Sequence, residues 1–335
     1  MIHSPYVRKP ASVRAVMGQV LLALLPGVAI YAWIVGAGIL VNLAIATVVA
    51  LAAEAFVLRL RKRPLAPALG DLSAVVTAWL VVLCFPLIVP WWVTTIGVLV
   101  AIVAVKHLYG GLGQNPFNPA MVAYCCIIIA YPSLMAQWPP AGELDFQTQL
   151  NLIMGGAREI DAVTGATALD AMRTGLRVGE ANVAVILEQN AFGAIGGRGY
   201  EWIPLGYIIG GLFLLARGII TWHMPVAFIS ALAAISGALW LVNPDQFASP
   251  LFHLATGGAM LAAFFIITDP VSGATTPLGK IIFAAGIGIL AYLIRSFGAF
   301  PEGIAFAVLL MNMCVPLIDL KTQPAVFGQK RSRVP

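Results

Sequence analysis

The stretch MGQVLLALLPGVAIYAWIVGAGILVNLAIATVVALAAEAFVL, Met17 to Leu58, holds two apolar segments in succession, at about 17–36 and 38–58. A helix that crosses the hydrocarbon core of a membrane needs roughly 20 apolar residues. Each of the two segments reaches that length. The stretch therefore predicts two membrane-spanning helices joined by a very short turn.

The rest of the chain continues this pattern. Apolar residues make up 60% of the 335 residues and charged residues only 10%, whereas a soluble domain carries about a quarter charged residues. Apolar segments of nearly sufficient length or more recur at about 17–36, 38–58, 72–90, 91–109, 119–135, 202–220, 222–242, 251–268, 281–297 and 304–320. We therefore expect an all-α polytopic membrane protein with about ten transmembrane helices.

One polar segment divides these helices into two sets. Residues 137–201 contain acidic and arginine side chains and are long enough to form a small folded insert. Five spans on each side of it would make the two halves inverted repeats, because five is an odd number; transport-type folds with such repeats place a site between the halves. We predict a first membrane half at 1–136, an extracytoplasmic insert at 137–201, a second half at 202–320 and a cytoplasmic tail at 321–335.

The basic residues predict the orientation. Of the 19 Lys and Arg residues, 14 fall on one side of a ten-span arrangement: Arg8, Lys9, Arg14, Arg59, Arg61, Lys62, Arg63, Lys106, Arg217, Lys280, Lys321, Lys330, Arg331 and Arg333. Cytoplasmic loops collect Lys and Arg. We therefore predict that both termini lie in the cytoplasm and that the insert lies on the other side of the membrane. This asymmetry accounts for the net charge of +5, so the partner is the lipid bilayer and no nucleic acid is needed.

The insert contains the polar stretch DAVTGATALD, Asp161 to Asp170. We predict a turn over 163–166 and a helix from about Thr167, because apolar residues follow at helical spacing. Thr164 is a suitable N-cap, which would put the Thr167 hydroxyl in the first helical turn, where free backbone N–H groups favour a phosphate.

Gly165 and Ala166 leave room for a large group to approach Thr167. The alternative is an ordinary capping threonine before a short helix. A near copy of the stretch, TDPVSGATTP, lies at Thr268 to Pro277.

The pattern Asp161-x-x-Thr164-Gly165-Ala166-Thr167 resembles the D-x-x-[S/T]-G-A-[S/T] acceptor motif of flavin transferases. With it, the stretches GDLSAVVTA (Gly70–Ala78), YGGLGQNPFNPAM (Tyr109–Met121) and TDPVSGATTPLGK (Thr268–Lys280) make nearly the full chain similar to the RnfD/NqrB family. Its length is closer to that of the RnfD proteins of the Rnf electron-transport complex. The resemblance implies FMN joined through its phosphate to the hydroxyl of Thr167 by a flavin transferase. It also implies a bacterial inner-membrane protein whose insert lies in the periplasm.

The resemblance also implies a non-covalent riboflavin within the membrane part. Asn115 and Asn118 could bind the edge of its ring, or they could cap the fifth span. Asp71 and Asp269 are ionisable residues near the membrane, which makes them functional candidates. Either could serve the flavin or a coupling ion, or cap a helix.

The second motif copy, Asp269 to Thr275, satisfies the same pattern but is predicted on the cytoplasmic side. Pro270 and Pro277 bracket it, which suits a rigid turn. We interpret it as structural, or as lining a second flavin pocket. The sequence departs from the family pattern G-S-I-G-E-T-S, because Gly197-Arg198-Gly199 replaces Glu-Thr-Ser.

These patterns favour a membrane subunit of an ion-translocating electron-transport complex coupled to sodium or proton movement. The chain has no nicotinamide fingerprint, and its scattered Cys and His residues predict no metal site. Partner subunits would then supply iron–sulfur centres, the reaction with NADH or ferredoxin, and a second covalent FMN. The alternatives are an NqrB-type subunit of a sodium-pumping quinone reductase, and a secondary transporter or channel without a flavin.

Overall fold

The computed structural model describes residues 12–155, 164–178, 182–300 and 302–324, and within these ranges every regular element is a helix. Before the insert these are α1 (Val13–Ile34), α2 (Gly38–Leu60), α3 (Leu65–Leu69), α4 (Ser73–Leu83), α5 (Trp91–Leu99), α6 (Pro119–Ala130) and α7 (Pro132–Met135). The insert contributes α8 (Phe146–Ile153), α9 (Ala168–Val178) and α10 (Val183–Leu187). After it come α11 (Ile203–Ala216), α12 (His223–Val242), α13 (Pro250–Ala255), α14 (Ala259–Leu261), α15 (Pro277–Phe297) and α16 (Ile304–Thr322).

In the part of the chain that the structure describes, five helices, α1, α2, α12, α15 and α16, are long and apolar enough to cross a membrane. Shorter apolar helices cover 73–83, 91–107, 119–130 and 200–216. Large apolar side chains point outward, such as Trp33 with 90% of its surface exposed. An outward apolar surface of this extent suits lipid. The prediction of a polytopic all-helical membrane protein is confirmed.

Three predicted spans are wrong as continuous helices. The segment at 119–135 divides at Tyr131 into α6 and α7. The segment at 251–268 breaks at Thr256–Gly258, where Gly257 has a φ of 62°. The segment at 72–90 is helical only to Leu83, because Pro86 and Pro90 follow and proline cannot continue a helix. Two further helices change form: α5 runs on as a π-helix over Val100–His107, and α14 does so over Ala262–Ile266.

The first helix of each membrane half packs against the other at close range. A Cβ atom on Gly206 of α11 would lie 2.5 Å from the Cα of Gly27 in α1. Only glycine permits that approach, and small residues are what membrane helices use at tight contacts.

The insert lies against one face of the bundle. Gln149 Oε1 of α8 accepts a hydrogen bond from the Gly38 N–H at the start of α2 (2.8 Å). Arg177 of α9 donates to the Phe297 and Gly298 carbonyls at the end of α15 (3.2 and 2.6 Å). We call this side the insert face; the end of α2 and the start of α15 lie on the opposite face.

The insert shares its small core with the broken segment of the second half. The buried residues of this core are Ala168, Leu169, Met172, Val183, Ile186, Phe192, Ala248 and Phe252. Leu169 and Met172 are buried and Leu176 packs on the same cluster, which confirms the predicted apolar face of α9.

Candidate functional site

Thr167 occupies the N-cap position of α9. Its Oγ1 accepts a hydrogen bond from the Asp170 N–H (3.2 Å), and its carbonyl accepts from the Ala171 N–H (2.8 Å). The prediction that Thr164 is the cap is therefore wrong. The reason is that the Gly165 N–H donates to the Trp138 carbonyl (2.9 Å) in an antiparallel bridge, which keeps the chain extended until Thr167.

The residues before Thr167 leave its surroundings open. Gly165 and Ala166 are exposed, and Thr164 and Thr167 are partly exposed. Among the described residues, a Cβ atom on Gly165 would have only Pro140 Cγ nearby, at 3.9 Å. Asp161, the first residue of the predicted motif, lies outside the described residues.

A loop beside the start of α9 holds a buried carboxylate. Glu201 accepts hydrogen bonds from the N–H groups of Ala194 (3.3 Å), Ile195 (2.8 Å) and Gly196 (3.0 Å). Successive N–H groups that converge in this way form an anion nest, and here the anion comes from the chain itself.

The residues that depart from the family pattern lie in this loop. A Cβ atom on Gly197 would lie 3.4 Å from the Cβ of Ala168, so the loop touches the residue that follows Thr167. Gly199 has a φ of 80°, and a Cβ there would lie 2.5 Å from the Cβ of Ala141. This backbone requires glycine at 199, which gives a local reason for that part of the departure.

An ion pair closes the helix break beneath α9. The Arg295 guanidinium contacts the Glu302 carboxylate (3.0 Å) and donates to the His253 carbonyl at the end of α13 (2.8 Å). Glu302 in turn accepts from the Gly258 N–H at the start of α14 (3.2 Å). Helix ends leave such groups unpaired, so the ion pair satisfies both sides of the break.

The insert touches this break directly. A Cβ atom on Gly257 would collide with the Glu302 carboxylate and would lie 2.9 Å from Leu169 Cδ1. Leu169 follows Thr167 by two residues, so the Thr167 region rests on the discontinuous segment.

A second candidate site lies toward the opposite face. A cavity of about 150 Å³ is lined by Ser73, Lys106, Asn115, Asn118 and Asp269 among polar residues, and by apolar walls that include Phe264 and Phe265. Both π-helical stretches contribute lining residues. The cavity therefore brings together three of the predicted residues, Asn115, Asn118 and Asp269. Asp71 is one hydrogen bond away, because its Oδ1 accepts from the Ser73 hydroxyl at 2.5 Å.

Asn118 is a helix cap. Its Oδ1 accepts from the N–H groups of Ala120 (3.0 Å) and Met121 (3.2 Å), and its Nδ2 donates to the Ile266 carbonyl (3.1 Å). The capping alternative is confirmed for this residue. Asn115 differs, because its Nδ2 donates to the Phe117 carbonyl (2.9 Å) within the loop before α6.

The sequence analysis does not identify three buried ionisable residues next to the cavity as site residues. Lys106 contacts Glu54 (2.6 Å) and Ser73 (2.8 Å), and His107 lies 3.4 Å from Glu54. The charge pattern predicts Lys106 to be a loop cation; that is wrong, because it is buried at the end of the π-helix. One signal in the sequence could have identified this group. Glu54 is the single acidic residue within the apolar sequence of α2, and ionisable residues in spans are functional candidates.

The second motif copy forms a turn that is held by hydrogen bonds to α16 and within the copy itself. The Thr275 hydroxyl donates to Asp319 of α16 (2.9 Å), and the Thr275 N–H donates to the same carboxylate (3.0 Å). Asp269 accepts from the Ser272 hydroxyl (2.7 Å). We call this copy, 269–275, the turn copy, and the copy at 161–167 the insert copy. The turn copy precedes α15 and therefore lies on the face opposite the insert.

Comparison with known proteins assigns relatives over nearly the full length. The model of the family described as NQR2, RnfD, RnfE matches residues 1–328. The chain is 46% identical over 344 residues to the D subunit of the ion-translocating oxidoreductase complex of Aliivibrio salmonicida (strain LFI1238), covering 98% of each chain. It is 47% identical over 348 residues to the protein of the same name from Vibrio vulnificus (strain YJ016), covering 97% of this chain and 98% of the relative.

Proposed function

The chain belongs to the NQR2, RnfD, RnfE family, and on that premise we propose that it is the RnfD component of an ion-translocating oxidoreductase complex. The relatives named above are described as the D subunit of such a complex. The chain would then act as one membrane subunit of a multisubunit oxidoreductase and not as a catalyst alone. The observation that carries the redox role is the accessible Thr167 hydroxyl at the N-terminus of α9.

We assign covalent FMN to Thr167 through a phosphoester, formed by a flavin transferase. The exposed Gly165 and Ala166 support this assignment, because they leave the approach to the hydroxyl open. A phosphate on Thr167 would lie at the N-terminus of an 11-residue helix, where the helix dipole favours negative charge. When bound, FMN supplies one-electron and two-electron transfer; the chain's own residues anchor it and set its distance from the bundle.

We assign a second, non-covalent flavin, riboflavin, to the cavity beside Asn115. The chemistry of the lining supports this, because amide, hydroxyl and ammonium groups stand opposite apolar and aromatic walls, as in cofactor sites. The volume of about 150 Å³ is below the ~300 Å³ at the lower end of such sites. Part of the molecule would therefore extend beyond the cavity as it stands. Asn118 would act by holding the start of α6 in place.

The membrane arrangement we propose has ten spans in two inverted halves. Helices α1, α2, α4, α5 and α6 correspond to α11, α12, the broken α13–α14 segment, α15 and α16. Two observations support this: α1 ends at the insert face whereas α11 begins there, and the third span of each half is shortened or broken. Short or interrupted helices at corresponding positions indicate where such folds place their sites.

We further propose that the insert face is periplasmic in a bacterial inner membrane. Described basic residues, including Arg14, Arg61 and Lys321, belong to helix ends and turns of the opposite face, as the positive-inside rule requires of the cytoplasmic side. Electrons would pass between the flavins and partner subunits that hold iron–sulfur centres, react with NADH or ferredoxin and carry another covalent FMN. That transfer would be coupled to sodium or proton movement.

The test is a denaturing gel of the purified protein, viewed for flavin fluorescence. We expect a fluorescent band when the flavin transferase is co-expressed and none when it is omitted. A dark band in both cases would favour a transporter or channel without a flavin. Denaturation should release riboflavin into the supernatant, in about one molar equivalent of the protein. The set of subunits that co-purify would separate this assignment from an NqrB-type role in a sodium-pumping quinone reductase.

A further inference from the structure

A cluster of three ionisable side chains lies buried between α2 and the π-helical end of α5. Lys106, Glu54 and His107 have exposed fractions of 3%, 2% and 6%. Buried ion pairs can often be replaced by apolar residues without loss of stability. Stability alone therefore gives no reason for this cluster, and ionisable groups within a span are functional candidates.

Lys106 connects the cluster to the cavity. Its ammonium donates to Glu54 Oε1 (2.6 Å) and to Ser73 Oγ (2.8 Å), and both Lys106 and Ser73 line the cavity. An ammonium has three hydrogens, so these contacts leave one for an acceptor in the cavity. The Ser73 hydroxyl in turn donates a hydrogen bond to Asp71.

The other members of the cluster have unpaired atoms. Glu54 Oε2 and His107 Nδ1 are buried without a hydrogen-bond partner among the described residues, and His107 Nε2 has only its 3.4 Å contact with Glu54 Oε1. Native proteins leave few buried polar atoms unpaired, and each requires an explanation such as a bridging water or a catalytic role. Lone pairs next to a buried ammonium are what a chain of proton acceptors requires.

Two of the three residues, Lys106 and His107, lie on the π-helix. Adjacent residues of an α-helix point about 100° apart, yet Lys106 and His107 are both buried beside Glu54. The π-helical turn over Val100–His107 accommodates both, and such turns are frequent at functional sites.

The backbone of His107 lies at the face opposite the insert, whereas both of its ring nitrogens are buried. The His107 carbonyl accepts from the Arg61 guanidinium (3.2 Å), and the loop that follows exposes Leu108 and Tyr109. The charged groups that face the cluster are Arg61 on this side, and Asp71 and Asp269 on the cavity side.

We propose that His107, Glu54 and Lys106 form a proton relay from this face to the cavity. The proposal rests on the assignment of a flavin to the cavity. A reduced one-electron centre of a partner subunit would lose one electron to the flavin ring. At the same time an N–H bond of the Lys106 ammonium breaks and a ring nitrogen gains that proton. The Lys106 amine then recovers a proton from the His107 imidazolium through the Glu54 carboxylate, and His107 recovers one from water.

The test uses the purified complex with Lys106→Ala, Glu54→Gln and the control Lys321→Met, which changes an exposed lysine at the end of α16. Stopped-flow absorbance follows reduction of the riboflavin by dithionite, and a pH-indicator dye follows proton uptake. Loss of a general acid costs on the order of a hundredfold in rate, so we expect that slowing in Lys106→Ala. Added methylammonium should restore the rate, which a purely structural role of Lys106 would not allow.

Time-resolved infrared spectra recorded during reduction give a second readout. A transient carboxylic-acid band that shifts in D₂O and disappears in Glu54→Gln would support the relay. Unchanged reduction and proton uptake in both variants, with riboflavin retained, would overturn the relay alone. Wild-type complex without riboflavin would overturn the second-flavin assignment and remove the acceptor of the relay. If Lys106→Ala does not fold, Glu54→Gln decides by its infrared band and its rate.

Discussion

The insert copy and the turn copy have the same sequence pattern but opposite hydrogen bonding at the final threonine. The Thr167 hydroxyl accepts from the backbone of α9, whereas the Thr275 hydroxyl donates to the Asp319 carboxylate. A hydroxyl next to free helical N–H groups suits a phosphoester, because the negative phosphate gains from them. A hydroxyl held against a carboxylate would place phosphate and carboxylate charges together. The pattern alone therefore does not separate the two copies, whereas the partner of each hydroxyl favours Thr167 as the proposed attachment site.

The central glycine differs in the same way. A Cβ atom on Gly165 would make only an ordinary van der Waals contact with the described residues, with Pro140 Cγ at 3.9 Å. A Cβ atom on Gly273 would lie 3.0 Å from the Asp269 carbonyl oxygen and 3.1 Å from Met224 Cε. Gly165 thus keeps the approach to Thr167 open, and Gly273 permits close packing of the turn.

The largest expected effect separates the two threonines. Thr167→Val should abolish flavin fluorescence of the denatured protein, because the isosteric side chain has no oxygen to bond the phosphate. Thr275→Val should leave it unchanged, and Thr167→Ser should retain it. Loss of fluorescence in Thr275→Val with retention in Thr167→Val would reverse the assignment of the two copies.

The glycines should respond in opposite ways. Gly273→Ala should lower the free energy of unfolding by about 1–3 kcal/mol, since the extra methyl group overpacks the turn. Gly165→Ala should change it by less than about 0.5 kcal/mol and should reduce the fraction of chains that carry flavin. Thermal unfolding in detergent and the ratio of flavin to protein measure the two effects. Equal destabilisation by both substitutions would contradict the comparison.

Removing the Asp319 carboxylate, which binds the turn copy, should free the Thr275 hydroxyl without making Thr275 an attachment site. Asp319→Ala deletes the hydrogen bonds from the Thr275 N–H and hydroxyl, at a cost of about 1 kcal/mol. The melting temperature should fall slightly, and in-gel fluorescence of Asp319→Ala combined with Thr167→Val should stay dark. A fluorescent double variant would mean that the transferase reaches this face.

The smallest expected effect concerns the support of the insert. The Asp145 carboxylate caps α8, and hydrogen bonds from Thr148 and then Gln147 hold its pKa below the ordinary value. A lowered pKa adds stability above the unfolded value of about 3.9, and that contribution disappears as pH falls through the folded pKa. Asp145→Ala should therefore increase protease cleavage of the insert slightly at about pH 7 and should match wild type at about pH 2. Asp145→Asn, which still caps, is the control.

Sequence reasoning locates the apolar segments but not their interruptions. The sequence across Thr256–Gly258 is apolar enough to resemble one span. The break is evident only in the structure, where Arg295 and Glu302, distant in sequence, form hydrogen bonds with the backbone on its two sides. Hydropathy likewise assigns Lys106 to a turn, although its partner Glu54 comes from another helix.

The predicted site residues show the same limit. Asn115, Asn118 and Asp269 can be expected near one another, because each follows or precedes a span on the same side. Their individual roles depend on hydrogen-bond partners that sequence does not specify, such as Ile266 for Asn118. Similarly, the sequence predicts the start of α9 within a few residues, but the bridge from Gly165 to Trp138 decides which threonine caps it.

The broken segment α13–α14 also has a consequence for the order in which the protein can be assembled. Synthesis runs from the N-terminus, so Thr256–Gly258 emerges well before Arg295 and Glu302, which satisfy its free backbone groups. Until the last two helices are in place, this segment would sit in lipid with unpaired carbonyl and N–H groups, which is costly. The insert, whose Leu169 rests on Gly257, would likewise reach its final position only then. Biogenesis would therefore make the proposed flavin attachment a late event, restricted to chains whose C-terminal helices have been inserted.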